Sequence, residues 1–372
     1  MNKIMNKIMN KIKSDLKDAG IQQNEIAPKL KISSVRLNQY LNNEVDIRFY
    51  HFIQLIGIIY AKRDTKMNLI QEFLKATTKY DSLLEALEWA SNTNEKEIYS
   101  TTRNKLISLN KSNQTVELYD ILYDRKQGMN TTRLFDRAEA LSIKGVKRKE
   151  NAALLSIIYL YLLSDLSQYS TISLYSRTAE RYIPQINNPY IKKSYKIRVE
   201  ERMIYALLKQ GETEIVKDRI SEMLKKVNQI EFPYPVNFVY GILSELYLFE
   251  DPNKAIFYIE KSIKILKENH LENHQLRMDK LKETHDFIKI YSNNFNSLYL
   301  NSKSEQAHLY AKIGKESEAL AILEELEKEN GRLTAFQLYY KYLATRKTND
   351  FNNAKQAFIS NGDFFYLNNL FG

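Results

Sequence analysis

Only 10 glycines and 6 prolines interrupt this 372-residue chain. Average usage, about 7% Gly and 5% Pro, would supply more than twice as many. Sheets need frequent tight turns, and tight turns draw on those two residues. A chain so poor in them, yet rich in Leu, Ile, Lys and Glu, reads as all-α with short connections. Hydrophobic residues make up 44%, enough for a large core. The length allows two or three domains, or one domain and a repeat array.

The helices carry a repeat. Asp251-Pro252-Asn253-Lys254-Ala255-Ile256 opens one helix, with Pro252 as starter and small Ala255 at a close crossing. Ile259, Ser262, Ile263 and Ile265 continue its buried stripe. Gly314 to Leu320 opens a second, built on Ala319, Ile322, Leu323 and Leu326. Asn349 to Ala354 opens a third, continued by Ala357 and Phe358. Ala319 and Ala354 are 35 residues apart, and Ala255 and Ala319 are 64 apart, near two periods. A period near 34 is that of the two-helix tetratricopeptide unit. Such units stack into an α-solenoid whose inner face suits extended ligands.

A different pattern precedes the array. MNKI occurs three times, setting Ile4, Ile8 and Ile12 on one side of a helix that stops at Ala19-Gly20. In residues 23–41, Ile26, Ala27 and Leu30 form the apolar face of a short helix. Lys31-Ile32 makes a turn, Ser33 caps the next helix, and Leu37, Tyr40 and Leu41 point back inward. This is the helix-turn-helix template. Ser34, Val35, Arg36, Asn38 and Gln39 face outward, and such side chains reach base edges and phosphates. Two residues depart from the usual pattern. Lys31 stands where Gly is common, and Pro28 is expected only if it falls in the first turn of its helix. Ile47 to Tyr60 reads as a packing helix, and Lys62, Arg63, Asp64 and Lys66 as a polar break. The expected division is therefore 1–66, a DNA-binding helix-turn-helix domain, and 67–372, a tetratricopeptide-like repeat domain.

Charge supports that division. Residues 1–66 hold 12 Lys/Arg against 6 Asp/Glu, so +6 of the chain's +10 lies there. A basic head points to a polyanion, here double-stranded DNA. Lys29 and Lys31 are candidate phosphate contacts, with Lys11, Lys13 and Lys17 behind them.

Other functions are disfavoured. There is no Gly-rich phosphate loop and no nucleophile elbow, so no enzyme and no cofactor is expected. His270 and His274 stand four apart but lack a third ligand, so no metal site is assigned. Cysteine is absent, which fits a reducing, cytoplasmic setting. Residues 152–163 are too short for a membrane span and read as a buried helix; no secretory signal is seen. Tyr205, Tyr234, Tyr240 and Tyr247 are candidate groove residues, although tyrosine is also ordinary helix packing.

A helix-turn-helix followed by degenerate repeats resembles the peptide-sensing regulators of Gram-positive bacteria and their phages, most closely the AimR-like arbitrium receptors of Bacillus phages. The resemblance is carried by Asn188-Pro189-Tyr190-Ile191 with Tyr195, Arg198 and Val199; by Leu248-Phe249; by Glu305-Gln306-Ala307-His308; and by Ser360-Asn361 with Asp363 and Phe364. It implies a bacterial-cytoplasmic transcription regulator that binds an operator. A hexapeptide ending Arg-Gly-Ala, lodged in the repeat groove, would switch it and tip lysis toward lysogeny. Glu305 and Asp363 would receive the peptide arginine.

The chain also departs from that pattern. Family asparagines that hold the peptide backbone fall on Tyr205, Lys209 and Glu245, and a groove arginine falls on Tyr234, with Asn237 nearby as a substitute. The chain ends at Phe371-Gly372 without the family's longer dimerising helix, leaving a monomer or a looser homodimer as the expectation. The rival reading is a peptide-regulated protein-interaction scaffold that does not bind DNA.

Overall fold

The computed structural model describes residues 3–110, 113–227, 232–268 and 275–372. Among them are twenty-one α-helices and no strand. The first five are α1 (Lys3–Asp18), α2 (Gln23–Lys29), α3 (Ser34–Leu41), α4 (Phe49–Ile59) and α5 (Arg63–Ala76). Next come α6 (Tyr80–Thr93), α7 (Lys96–Ser108), α8 (Asn113–Lys126), α9 (Thr131–Ile143) and α10 (Lys149–Asp165). Short 3-10 turns flank α11 (Ile172–Tyr182), and α12 (Pro189–Lys209) follows. The chain continues through α13 (Thr213–Lys226), α14 (Pro233–Tyr247), α15 (Pro252–Glu268), α16 (Gln275–Tyr291) and α17 (Lys303–Lys312). It ends with α18 (Glu316–Asn330), α19 (Ala335–Thr345), α20 (Thr348–Ser360) and α21 (Phe364–Phe371). Two compact units emerge: Met1–Ile158 with Arg181–Tyr195, and Tyr159–Glu180 with Lys196–Gly372.

The first unit begins with α1, followed by α2 and α3, which pack together across a short turn. In α1 the buried stripe is Met5, Ile8, Met9, Ile12 and Leu16, with Ile4 left exposed. Methionine therefore shares the inward face that the isoleucine repeat alone outlined. Pro28 sits in the last turn of α2, not the first, which corrects the sequence expectation. The bond its ring removes would have gone to the carbonyl of exposed Asn24, which water can reach.

Lys31 replaces the usual glycine by adopting φ 55°. Lys31 N donates to Pro28 O and Ile32 N to Ala27 O, a Schellman closure of α2. Ser33 then caps α3, its Oγ accepting from Arg36 N at 3.1 Å. Helix α5 opens within the polar cluster at Arg63, carries the chain through residues 66 and 67, and packs against α1.

Deeper in this unit, two carboxylates are buried. Glu85 accepts from Arg48 Nη2 at 2.5 Å, Tyr50 N at 3.0 Å and Asn188 Nδ2 at 3.0 Å. Burial still pushes its carboxyl above the ordinary value, against Arg48 and those donors. Glu88 accepts from Tyr119 Oη and Ser194 Oγ, and Tyr119 Oη also meets Tyr195 Oη at 3.1 Å. The Asn188-Pro189-Tyr190 motif is thus structural. Asn188 bonds Glu85 and Ile191 N, while Tyr190 stacks on Tyr50.

In the second unit the repeat appears as paired helices: α14 with α15, α17 with α18, and α19 with α20. Ala255, Ala319 and Ala354 each lie at 0% exposure on the second helix of a pair, as the spacing predicts. A larger side chain at such a crossing costs about 1–3 kcal/mol. The apolar run at 152–163 is a buried stretch of α10, and no described helix is long and apolar enough to cross a membrane.

A pH dependence follows from His51. Its Nδ1 lies 3.2 Å from Tyr40 Oη. Burial, then Arg48 and Arg36, lower its pKa from 6.5 to about 4. Below pH 6.5 the unfolded chain takes a proton that the folded ring refuses, so stability falls until about pH 4 and then levels. Urea unfolding at pH 7 and pH 5 should show a lower midpoint at pH 5, and His51→Phe should shrink the difference.

Candidate functional site

A cavity of about 710 Å³ opens in the second unit, bounded by α12, by α14 through α19, and by α21. Tyr205, Lys209, Glu245 and Glu305, all singled out in the sequence, line it. Tyr234, Asn237 and Asp363 do not.

Lys209 is the centre of one wall. Its Nζ donates to Asp363 Oδ2 at 2.9 Å and lies 3.6 Å from Glu245 Oε2. The rings of Tyr366 and Tyr205 sit 4.6 and 5.4 Å away. Burial alone would lower the ammonium's pKa. Tyr205, Glu245 and Asp363 outweigh it and hold the value well above the ordinary one. Asp363, which the family resemblance assigns to a peptide arginine, is buried here and holds Lys209 of this chain.

The local backbone explains that placement. Gly362, at φ 63°, ends α20 with Gly362 N donating to Ile359 O and Asp363 N to Phe358 O. Asp363 then caps α21, its side chain accepting from Tyr366 N.

Glu305 is also engaged. It accepts from Tyr340 Oη at 2.7 Å and lies 3.1 Å from His308 Nδ1, with the Tyr340 and His308 rings stacked at 4.3 Å. Burial, and then Glu305, raise the Tyr340 phenol well above its ordinary pKa, so it remains a donor. Tyr366, raised by burial and then Glu245, donates to Glu245 Oε2 at 3.1 Å.

Asn237 is fully buried and ties helices together. Its Nδ2 donates to Ser262 O and Oγ at 2.7 and 2.8 Å, and Ser262 Oγ donates back to Asn237 O. Its Oδ1 accepts from Arg277 Nε at 3.2 Å. Arg277 lines the cavity, and the sequence reading missed it. Its only forecast signal was Asn237, which orients it; nothing in the residues around 277 marks a site. Tyr234 lies in the first turn of α14, half-buried.

On the first unit, α3 presents Ser34, Val35, Arg36 and Asn38 to solvent, with Gln39 half-buried. Val35 is 69% exposed. Lys13 Nζ donates to Asn42 Oδ1, and Asn42 Nδ2 to Asn38 Oδ1. That chain occupies the Asn38 oxygen. Lys29, the last residue of α2, and Lys31, in the turn before α3, are exposed, and Ser33 Oγ is committed as acceptor to the cap.

His270 and His274 lie outside the described residues. Among the described residues no cluster of three His, Asp or Glu could hold a metal ion.

Residues 66–369 match the model of the AimR transcriptional regulator-like family. The chain belongs to this family. It is similar to an uncharacterized Bacillus anthracis protein, at 26% identity over 225 residues, 60% of this chain and 83% of that protein. The fold is similar to the solved structure of phAimR with a ligand, with a TM-score of 0.71 and 17% identity. That match covers 86% of this chain and 94% of the other. Selenomethionine-labelled phAimR gives 0.69 at 16% identity, covering 98% and 95%. The helical architecture of the family is thus present here.

The Lys209 cluster carries a measurable cost. Removing one member of a buried ion pair destabilises by about 3–5 kcal/mol, because the other charge stays buried. Lys209→Met should lower the urea midpoint accordingly. Adding Asp363→Asn to that variant should recover much of the loss.

Proposed function

We propose that this chain is a peptide-responsive, DNA-binding transcriptional regulator. Residues 1–66 form the DNA-reading head, and residues 67–372 form the body that senses a short peptide. The observation that carries the reading is the pairing, in one chain of this family, of an exposed polar α3 with a charged cavity in the repeat helices.

In this reading α3 enters the major groove. Arg36, Asn38 and Gln39 meet base edges, and Ser34 and Ser33 lie near the backbone at the helix N-terminus. Lys29 and Lys31 neutralise phosphates; their exposure and the +6 charge of residues 1–66 support this. The cavity is of the size that takes a small ligand, and its mixed lining suits a peptide better than a purely apolar molecule. Tyr205, Lys209, Glu245 and Glu305 would touch that peptide. Asn237 and Asp363 would act behind the wall, through Arg277 and Lys209.

Peptide and DNA are coupled in this scheme, so each changes the other's affinity by the same factor. The likeness to a ligand-bound phAimR supports a ligand in the repeat body.

Fluorescence anisotropy with a mixed-sequence duplex tests the head. If about six phosphates are neutralised, log affinity against log salt should fall with a slope near −5. Arg36→Ala with Gln39→Ala should weaken binding at least tenfold. A flat salt response, with binding unchanged in that double variant, would move the reading to a protein-interaction scaffold. Lys31→Gly separates two roles. It relieves a left-handed lysine worth roughly 1 kcal/mol, so the head becomes more stable, while the salt slope drops by about one.

A further inference from the structure

The charges around the cavity do not cancel evenly. Lys209 is matched by Asp363 and Glu245. Lys280 meets Glu283 at 2.7 Å, and Lys303 meets Glu325 and Glu329 at 2.8 Å. Glu305 has Tyr340 and His308. Arg277 is the exception. Among the described residues no carboxylate partners it, and its one hydrogen bond goes to a neutral amide.

That guanidinium is nevertheless held in place. Asn237, itself fixed by Ser262, takes the Nε proton. Across from it, α14 carries Gly241; a Cβ there would stand 3.1 Å from Arg277 Nη2, tighter than an ordinary contact. The bare backbone makes room for the guanidinium. With Nε spent on Asn237, the edge made by Nη1 and Nη2 is the one left for a two-pronged acceptor, and a carboxylate fits it. A second guanidinium reinforces the field. Arg202 lies 5.2 Å from the centre of the Phe238 ring and 5.5 Å from that of Tyr205, both lining residues, and its Nε is buried without a partner.

The corner at Asp363 and Glu245 is closed to cations. A basic ligand group seeking Asp363 and Glu245 would have to displace Lys209. That would leave a buried ammonium without its carboxylates.

We infer that the ligand of this cavity presents a free carboxylate, as a peptide C-terminus does, to the Nη1–Nη2 edge of Arg277, and brings no basic side chain to the Asp363–Glu245 corner, where Lys209 already stands. This rests on the proposal that the cavity takes a peptide, and it fixes the charge that such a peptide must carry.

Two randomised hexapeptide libraries test it, identical except that one has free C-termini and the other amidated C-termini. Each is passed over the full-length protein, and the retained peptides are sequenced by mass spectrometry. The wild type should retain the free-carboxylate library at least tenfold better than the amidated one, with no position enriched in Arg or Lys. Arg277→Ala should erase the preference for the free carboxylate. Lys209→Ala should acquire an enrichment of Arg or Lys at one position. If that variant fails to fold, the wild-type and Arg277→Ala arms decide. Equal retention of the two libraries by the wild type overturns the inference while leaving peptide binding intact. So does an Arg- or Lys-rich position among its retained peptides. Retention of neither library overturns the inference together with the peptide reading beneath it.

Discussion

A helical array satisfies its backbone within each helix, so nothing but side chains joins one helix to the next. Apolar contact supplies most of that attraction but little direction. In this chain buried carboxylates supply the direction. Glu85 gathers a guanidinium and a backbone N–H from the start of α4 and an amide from Asn188, two segments of the first unit far apart in sequence. In the second unit Asp286 accepts from Tyr299 N and Leu300 N at 2.9 and 2.7 Å, fixing a loop in which Ser297 and Leu300 adopt left-handed backbone. A carboxylate out of water tolerates no vacancy among its donors, so each of these groups fixes which segments meet.

The cavity depends on the same rule. Lys209 and Asp363 are 154 residues apart in sequence yet form one buried pair. Where family resemblance assigns small amides and a receptive acid, this chain has put a lysine and consumed the acid. Lys209 thereby supplies from within the chain the positive charge that buried Asp363 requires. The remaining open charge, Arg277, is of the opposite sign to what Asp363 alone would have implied.

The fold was legible to the extent that it is local. Ala255, Ala319 and Ala354 marked the crossings because a helix crossing needs a small residue wherever it occurs. Ser33 marked a helix start because capping acts over three residues. Lys31 and Pro28 were conspicuous as exceptions, but only coordinates could show that a left-handed lysine closes α2 and that the proline sits at its exposed end. The candidate site was legible only in part. Tyr205, Lys209, Glu245 and Glu305 were placed on the cavity by resemblance, and they line it. The pairing of Asp363 with Lys209 was not legible because that partner lies on a distant helix. Arg277 was missed because its position is dictated by Asn237 on α14, 40 residues earlier, and no short motif connects them.

Gly241 has an evolutionary corollary. Within α14 it brings no turn and no left-handed backbone; its φ is ordinary, and its only distinction is the volume it leaves beside Arg277. A glycine kept for that reason loses its justification once the facing side chain shortens. Among diverging relatives, then, the two positions should drift as a couple. Alanine or larger at the first should accompany a smaller or uncharged residue at the second, and lineages that keep the arginine should keep the gap beneath it.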